Sequence, residues 1–141
     1  MAADPAVNGL GLISTTTLWT RAWPADTEHL GDIRARTRSW LTRLGLRQDG
    51  VADVVLAVNE AVSNAIEHAY RDSAGGTVEL TFAADAGTVC VDVVDHGHWR
   101  APRPGRSGRG HGLPIMCGVV DSVSVVDHRP GTRVRLRRSR T

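Results

Sequence analysis

Residues 59–70 carry the pattern that most constrains the fold of this chain. Glu60, Asn64 and His68 recur at intervals of four residues. On a helix they would share one face, with neighbouring Cβ atoms roughly 5–6 Å apart. Apolar side chains recur with helical period on the opposite face, and they are Val51, Val54, Val55, Val58, Val62, Ala65, Ile66 and Ala69. The segment therefore predicts an amphipathic helix with one face in the core.

The other face of this helix would present a carboxylate, an amide and an imidazole to whatever lies above it. Such a set suits an acid/base group beside a ligand for a hard metal ion. An ordinary amphipathic helix with a solvated polar face gives the same pattern. The segment alone leaves both interpretations open.

Length and charge favour one soluble folded domain. The chain has 141 residues, of which 41% are hydrophobic and 23% charged, which is ordinary for a globular protein. The net charge of +2 is too small to indicate nucleic-acid binding by itself. All 17 Lys or Arg positions are arginine. This excludes a Walker P-loop and a lysine nucleophile, since both require lysine.

The two cysteines, Cys90 and Cys117, are too few for a disulfide scaffold. Each lies in an apolar run, so we expect buried, reduced thiols. No apolar run approaches the length of a membrane span, and no signal-peptide pattern is visible at the N-terminus. These features predict a cytoplasmic protein that does not enter a membrane.

Periodicity and turn signals predict the element order β-α-α-β-β-loop-α-β-β. The predicted strands are residues 13–23, 77–83, 88–94, 123–126 and 132–137, and the predicted helices are residues 26–44, 48–71 and 114–120. Asp26 or Thr27 would cap the first helix, and Gly45 would end it. This order favours an α+β two-layer sandwich, with helices on one face of a mixed, mostly antiparallel sheet. We expect residues 1–11 to be a flexible N-terminus and residues 139–141 a short tail.

Four motifs follow one another along this framework. They are Glu60-x-x-x-Asn64-x-x-x-His68, Asp95-His96-Gly97, Gly108-Arg109-Gly110-His111-Gly112-Leu113 and Gly131-Thr132. In this order they resemble the N-box, the adenine loop, the phosphate lid and the closing Gly-Thr of the GHKL (Bergerat-fold) ATPases. Within that superfamily the chain is most similar to the single-domain anti-sigma factor serine/threonine kinases. The resemblance implies a Bergerat-type, histidine-kinase-like ATPase domain over residues 12–138.

The resemblance implies a role for each residue of the N-box. Glu60 would be the general base that takes the proton of an attacking hydroxyl. Asn64 would offer its side-chain oxygen to Mg²⁺, which binds oxygen ligands and bridges triphosphate oxygens. His68 would either hydrogen-bond near the phosphates or pack at the end of the helix.

The remaining motifs would hold the nucleotide. Asp95 would accept a hydrogen bond from the adenine amino group, and Gly97 would let the backbone approach the ring. Thr132 would contribute to the same nucleotide site. The lid would cradle phosphate through Gly108, Gly110, His111, Gly112 and Leu113, with a guanidinium from Arg106 or Arg109. An ordinary turn at Asp95 and solvent-exposed arginines are the alternative interpretations.

The implied activity is transfer of phosphate from Mg-ATP to a serine or threonine of a small anti-sigma factor antagonist. The implied partners are that antagonist and an RNA polymerase sigma factor, which the protein would sequester and release by partner switching. Relatives of this kind often act as dimers, so we expect a homodimer that contacts neither nucleic acid nor membrane directly.

One position departs from the pattern of the resembled family. Its adenine loop usually reads Asp-x-Gly-x-Gly, whereas this chain continues after Gly97 with His98 and Trp99 in place of x-Gly. This favours, as an alternative, a non-catalytic binding module of the same fold with a weakened nucleotide site. The ATPase part of a histidine kinase is disfavoured, because the chain has no room for a phospho-accepting helical domain. A zinc site at His96 and His98 is also disfavoured, because no Cys or carboxylate at ligand-like spacing completes it.

Overall fold

A computed structural model of the chain describes residues 17–69, 76–97, 112–128 and 131–140. Strands and helices follow the predicted order. The strands are β1 (Thr17–Pro24), β2 (Thr77–Ala84), β3 (Thr88–Asp95), β4 (Ser122–His128) and β5 (Gly131–Ser139), and the helices are α1 (Leu30–Arg43), α2 (Gln48–Asn64) and α3 (Gly112–Val119). Within the described residues no helix is long and apolar enough to cross a membrane.

The strands form one sheet in the order β1-β2-β3-β5-β4. All four neighbouring pairs described are antiparallel, where the sequence predicts a mixed, mostly antiparallel sheet. Side chains alternate between buried and half-buried along β2 and β3, as expected of a sheet covered on one face. The α+β two-layer fold class is confirmed.

The covered face of the sheet carries the core. Phe82 of β2 is fully buried, and it stacks on Trp19 of β1 and meets Trp40 of α1 edge-on. Helix α2 lies between α1 and α3 and contacts β3 and β5 below it. Its predicted apolar stripe is buried from Val51 to Ala65. Aromatic packing and the α2 valines thus join the two layers.

Helix α2 ends earlier than predicted. The α-helical hydrogen bonding stops at Asn64, and a π-helical turn covers Ala65–Ala69. The prediction of an α-helix to residue 71 is therefore wrong from residue 65, and residues 70–75 lie outside the described residues.

Both predicted boundary signals of the first helix are present in the structure. The Asp26 carboxylate accepts the Glu28 backbone N–H at 3.0 Å and caps a 3₁₀ turn that leads into α1. Gly45 follows the end of α1 with φ of 88°, a left-handed conformation that favours glycine. These two residues set the direction in which α1 enters and leaves the helical layer.

The prediction of buried cysteines is wrong for Cys117 and only partly right for Cys90. Cys117 is exposed, because α3 turns Met116 into the core and its neighbour outward. Cys90 lies half-buried on the open face of the sheet, where burial raises the pKa of its thiol. An apolar run in a two-layer fold does not bury every member, because strand and helix periods turn some side chains to the solvent side.

Candidate functional site

The two predicted polar residues of the sheet lie side by side in the buried layer. Asp95 is the last residue of β3, and its Cα partner on β5 is Thr132. Their side chains share the helix-covered face with the core residues Val93 and Val134, since residues two apart on a strand point the same way. Asp95 and Thr132 are only 3% and 4% exposed. Residues directly opposite on an antiparallel pair have Cβ atoms about 4.5–5.5 Å apart.

Buried polar side chains of this kind need hydrogen-bond partners. One Asp95 carboxylate oxygen accepts the backbone N–H of Gly97 at 3.1 Å. This bond orients the carboxylate at the end of β3, and Gly97 is itself buried there. This bond has the geometry of the ordinary Asx turn, the alternative interpretation of Asp95, and the adenine-binding role of Asp95 and Gly97 stays a prediction.

Gly131 occupies a position that no other residue can fill. A Cβ added there would lie 1.7 Å from the Asp95 carbonyl oxygen and 2.6 Å from the His96 Cα. Both atoms belong to backbone, so they cannot move aside as a flexible side chain would. The start of β5 therefore approaches the end of β3 closely enough to fix Thr132 against Asp95.

Glu60 and Asn64 lie on the last two turns of α2, and both are half-buried. Helix α2 contacts β3 and β5, the strands that carry Asp95 and Thr132, and the π turn after Asn64 also contacts β3. Glu60 and Asn64 thus lie on a helix that packs against the two strands carrying Asp95 and Thr132. Together these four side chains offer two carboxylates, one amide and one hydroxyl as possible hydrogen-bonding or metal-binding groups.

Sequence reasoning missed one contact beside this site. The Arg34 guanidinium of α1 donates to the Asn59 side-chain oxygen at 3.0 Å, and Asn59 directly precedes Glu60. The bond ties α2 to α1 at the level of the predicted base. No sequence spacing links residues 34 and 59, so only the packing of the two helices reveals it.

The roles of all the predicted site residues stay predictions, and some of these residues are not described. The side chains of His68 and of Leu113 in α3 are not described, and for Gly112 only its place at the start of α3 is. Arg106, Gly108, Arg109, Gly110 and His111 lie outside the described residues, as do His98 and Trp99. Among the described residues, no group of three or more His, Cys, Asp or Glu side chains forms a metal site.

Comparison with known proteins identifies the family. Residues 23–138 match the family model of the histidine kinase-like ATPase domain. The chain belongs to this family. The matched range contains the last two residues of β1 and all of the later strands and helices except Ser139 at the end of β5, and thus every described residue of the candidate site. The predicted resemblance to GHKL ATPases is confirmed.

Individual proteins that the chain resembles agree with this family. The chain is 35% identical over 74 residues to the serine-protein kinase RsbW of Bacillus subtilis (strain 168), which covers 52% of this chain and 46% of RsbW. It is 26% identical over 117 residues to the anti-sigma F factor of Clostridium botulinum (strain Eklund 17B / Type B), covering 74% of this chain and 82% of that protein. The chain spans about half the length of the RsbW relatives that it matches.

Solved structures support the fold. The crystal structure of the RsbU and RsbW domains of Rv1364c from Mycobacterium tuberculosis superposes with a TM-score of 0.70 at 26% identity, over 88% of this chain and 32% of that chain. The histidine kinase domain of the blue-light activated histidine kinase EL346 from Erythrobacter litoralis superposes with a TM-score of 0.54 at 22% identity, over 79% of this chain and 61% of that one. The second likeness concerns the fold alone.

Proposed function

We propose that this chain is an ATP-dependent protein serine/threonine kinase of the anti-sigma factor type. It phosphorylates a small anti-sigma factor antagonist and sequesters an RNA polymerase sigma factor, which it releases by partner switching. The observation that carries the proposal is the buried Asp95–Thr132 pair, held together by Gly131 and lying beneath the helix that bears Glu60 and Asn64. The names of the relatives, serine-protein kinase RsbW and anti-sigma F factor, support the same class.

The residues present fit adenine binding. An aspartate fixed by a backbone N–H can accept an exocyclic amino group, and a threonine hydroxyl beside it can donate or accept. Because both groups are buried, their hydrogen bonds would form away from water. They would discriminate strongly against a base whose donors and acceptors do not match them. We therefore propose that Asp95, Gly97 and Thr132 form the adenine end of the site.

The residues of α2 fit the phosphate end. When bound, Mg²⁺ would neutralise charge on the triphosphate, and the Asn64 side-chain oxygen is a ligand of the type it prefers. Glu60, one turn earlier, would accept the proton of the attacking hydroxyl. The lid residues Gly108 to Leu113 and one of Arg106 and Arg109 would complete the phosphate contacts.

Phosphoryl transfer from γ-labelled ATP to purified candidate antagonists tests this proposal. Glu60→Gln should lower the transfer rate by about 10²- to 10⁴-fold while nucleotide binding persists, since only the proton acceptor is lost. Glu67→Gln is the matched control, because Glu67 is exposed on the π turn, two turns away from Glu60. Full transfer by Glu60→Gln would refute the role of the base. Sigma-factor or antagonist binding without any transfer by the unaltered protein would instead identify a non-catalytic binding module.

A further inference from the structure

A groove runs between the outer side of α1 and the sheet at β1, away from the nucleotide site. Its volume is about 570 Å³, and its lining residues are Trp19, Arg36, Ser39, Trp40, Arg43 and Leu44. Trp19 pairs with Phe82 of β2, and Asp95 pairs with Val78 of the same strand. Phe82 and Val78 are four residues apart, which separates the two positions by about 13 Å along the strand. The groove is therefore a separate surface of the molecule.

The floor of the groove contains an unsatisfied donor. Trp40 is 3% exposed, and its indole N–H has no hydrogen-bond partner among the described residues. Buried indole N–H groups normally find a partner. An acceptor brought into the groove by a ligand would satisfy it, and the exposed Ser39 hydroxyl offers a second polar contact.

The walls of the groove are cationic. Helix α1 contains four arginines and one aspartate. That aspartate, Asp32, accepts the Trp23 indole N–H at 2.8 Å and lies 3.8 Å from Arg36 in a half-exposed pair. No carboxylate of the described residues pairs with Arg43. Within the described residues the Arg43 charge is thus uncompensated and the Arg36 charge is paired only at 3.8 Å, so the groove is complementary to an anionic partner.

The groove also borders an edge of the sheet as far as the structure describes it. Strand β1 is the first strand of the sheet and pairs only with β2 among the described strands. The backbone of its outer edge can therefore pair with an added extended segment. This favours a peptide over nucleic acid, because a nucleic acid cannot extend the main-chain hydrogen bonding.

We propose that this groove is a docking site for an acidic, extended segment of a partner protein. The segment pairs with β1, and its carboxylates face Arg36 and Arg43. A second copy of this chain fits poorly, because a symmetric contact would bring two cationic α1 surfaces together. The proposal does not depend on ATP binding or phosphoryl transfer.

Fluorescence anisotropy with the full chain and no nucleotide tests the proposal. The probe is a fluorescein-labelled peptide of alternating glutamate and valine. Arg43→Glu should weaken its binding by at least about tenfold, because the charge that faces the peptide is reversed. Arg38→Glu is the matched control, since it makes the same change on an exposed position of the same helix outside the groove, and we expect less than about a threefold effect.

Two further probes test the separate parts of the proposal. Methylating alternate backbone nitrogens of the peptide should weaken binding if strand pairing contributes, and Trp40→Phe should weaken it by removing the indole donor. Equal losses in Arg43→Glu and Arg38→Glu would overturn the proposal, because binding would then be a general charge effect. Tighter binding of oligothymidine, or a change in oligomeric state caused by Arg43→Glu, would also overturn it. Thermal unfolding of each variant verifies that the fold is retained.

Discussion

At the scale of single residues, the site depends on a close approach between two backbones. Gly131 at the start of β5 leaves no space for a Cβ against Asp95 and His96. The same approach places Thr132 beside Asp95 in the buried layer. The absence of a Cβ at position 131 thus allows Asp95 and Thr132 to lie side by side, and we propose that this pair binds adenine.

Gly131→Ala should destabilise the protein by about 3 kcal/mol or more, because overpacking against backbone cannot be relieved by a rotamer change. Urea unfolding followed by circular dichroism measures the change in unfolding free energy. Gly118→Ala is the matched control, since Gly118 lies in α3 with no atom within 4 Å of an added Cβ. It should be neutral or stabilising by up to about 1 kcal/mol. Equal effects of the two substitutions would show that β3 and β5 do not approach as described.

At the scale of elements, periodicity predicted most of the fold. The apolar stripe predicted α2, and alternation predicted the strands, because burial of one face follows directly from helix and strand geometry. The π turn after Asn64 was not predictable, since its sequence continues the helical pattern and only the hydrogen bonding changes. The Arg34–Asn59 bond was missed for a similar reason, because it depends on how two helices pack.

The candidate site was predictable only through the resemblance of its motifs. Asp95 and Thr132 are far apart in sequence, and strand register alone makes them neighbours. No spacing rule gives that register before the sheet order β3-β5 is known. The resemblance singled out Gly131 and Thr132 together, but only the structure shows why position 131 must be glycine.

The β2–β3 hairpin provides a pH-dependent test at this scale. The Asp85 carboxylate accepts the backbone N–H groups of Gly87 and Thr88, each at 2.9 Å. These bonds hold the pKa of Asp85 below its ordinary value of 3.8. Because the folded-state pKa is depressed, the stabilisation is present above pH 3.8 and is lost as the pH falls through the folded-state value.

Asp85→Ala should therefore lower the unfolding free energy by roughly 1 kcal/mol near neutral pH and by much less at a pH below the folded-state pKa. Thermal unfolding of both proteins across this range measures the difference. Asp26→Ala serves for comparison, since the Asp26 carboxylate caps the turn before α1 through a single backbone N–H, that of Glu28, outside the hairpin. A cost of Asp85→Ala that stays constant down to the lowest pH would contradict the account.

At the scale of the whole molecule, one two-layer domain separates two surfaces. The proposed nucleotide site lies where α2 contacts β3 and β5, and the cationic groove lies at the β1 edge beside α1. Two arginines at the end of β5 connect the sheet to α2 and to the residue that follows α1. Arg138 donates to Asp53 of α2 at 3.0 Å, and Arg140 donates to the Leu44 carbonyl after α1 at 2.6 Å. The proposed docking surface and the proposed nucleotide site thus belong to one five-stranded sheet.

The central claim is that the Asp95–Thr132 pair binds the adenine of Mg-ATP. Isothermal titration with a non-hydrolysable ATP analogue, with and without Mg²⁺, tests it most directly. Asp95→Asn should weaken binding by about 10- to 100-fold, since a hydrogen bond to a buried charged acceptor is lost. Asn64→Ala should remove the Mg²⁺ dependence. Asp92→Asn, on the opposite face of the same strand, is the matched control and should leave affinity unchanged.

The account predicts micromolar, Mg²⁺-dependent binding by the unaltered protein, weaker binding by Asp95→Asn and unchanged binding by Asp92→Asn. No binding at millimolar nucleotide, or equal losses in Asp95→Asn and Asp92→Asn, would contradict it.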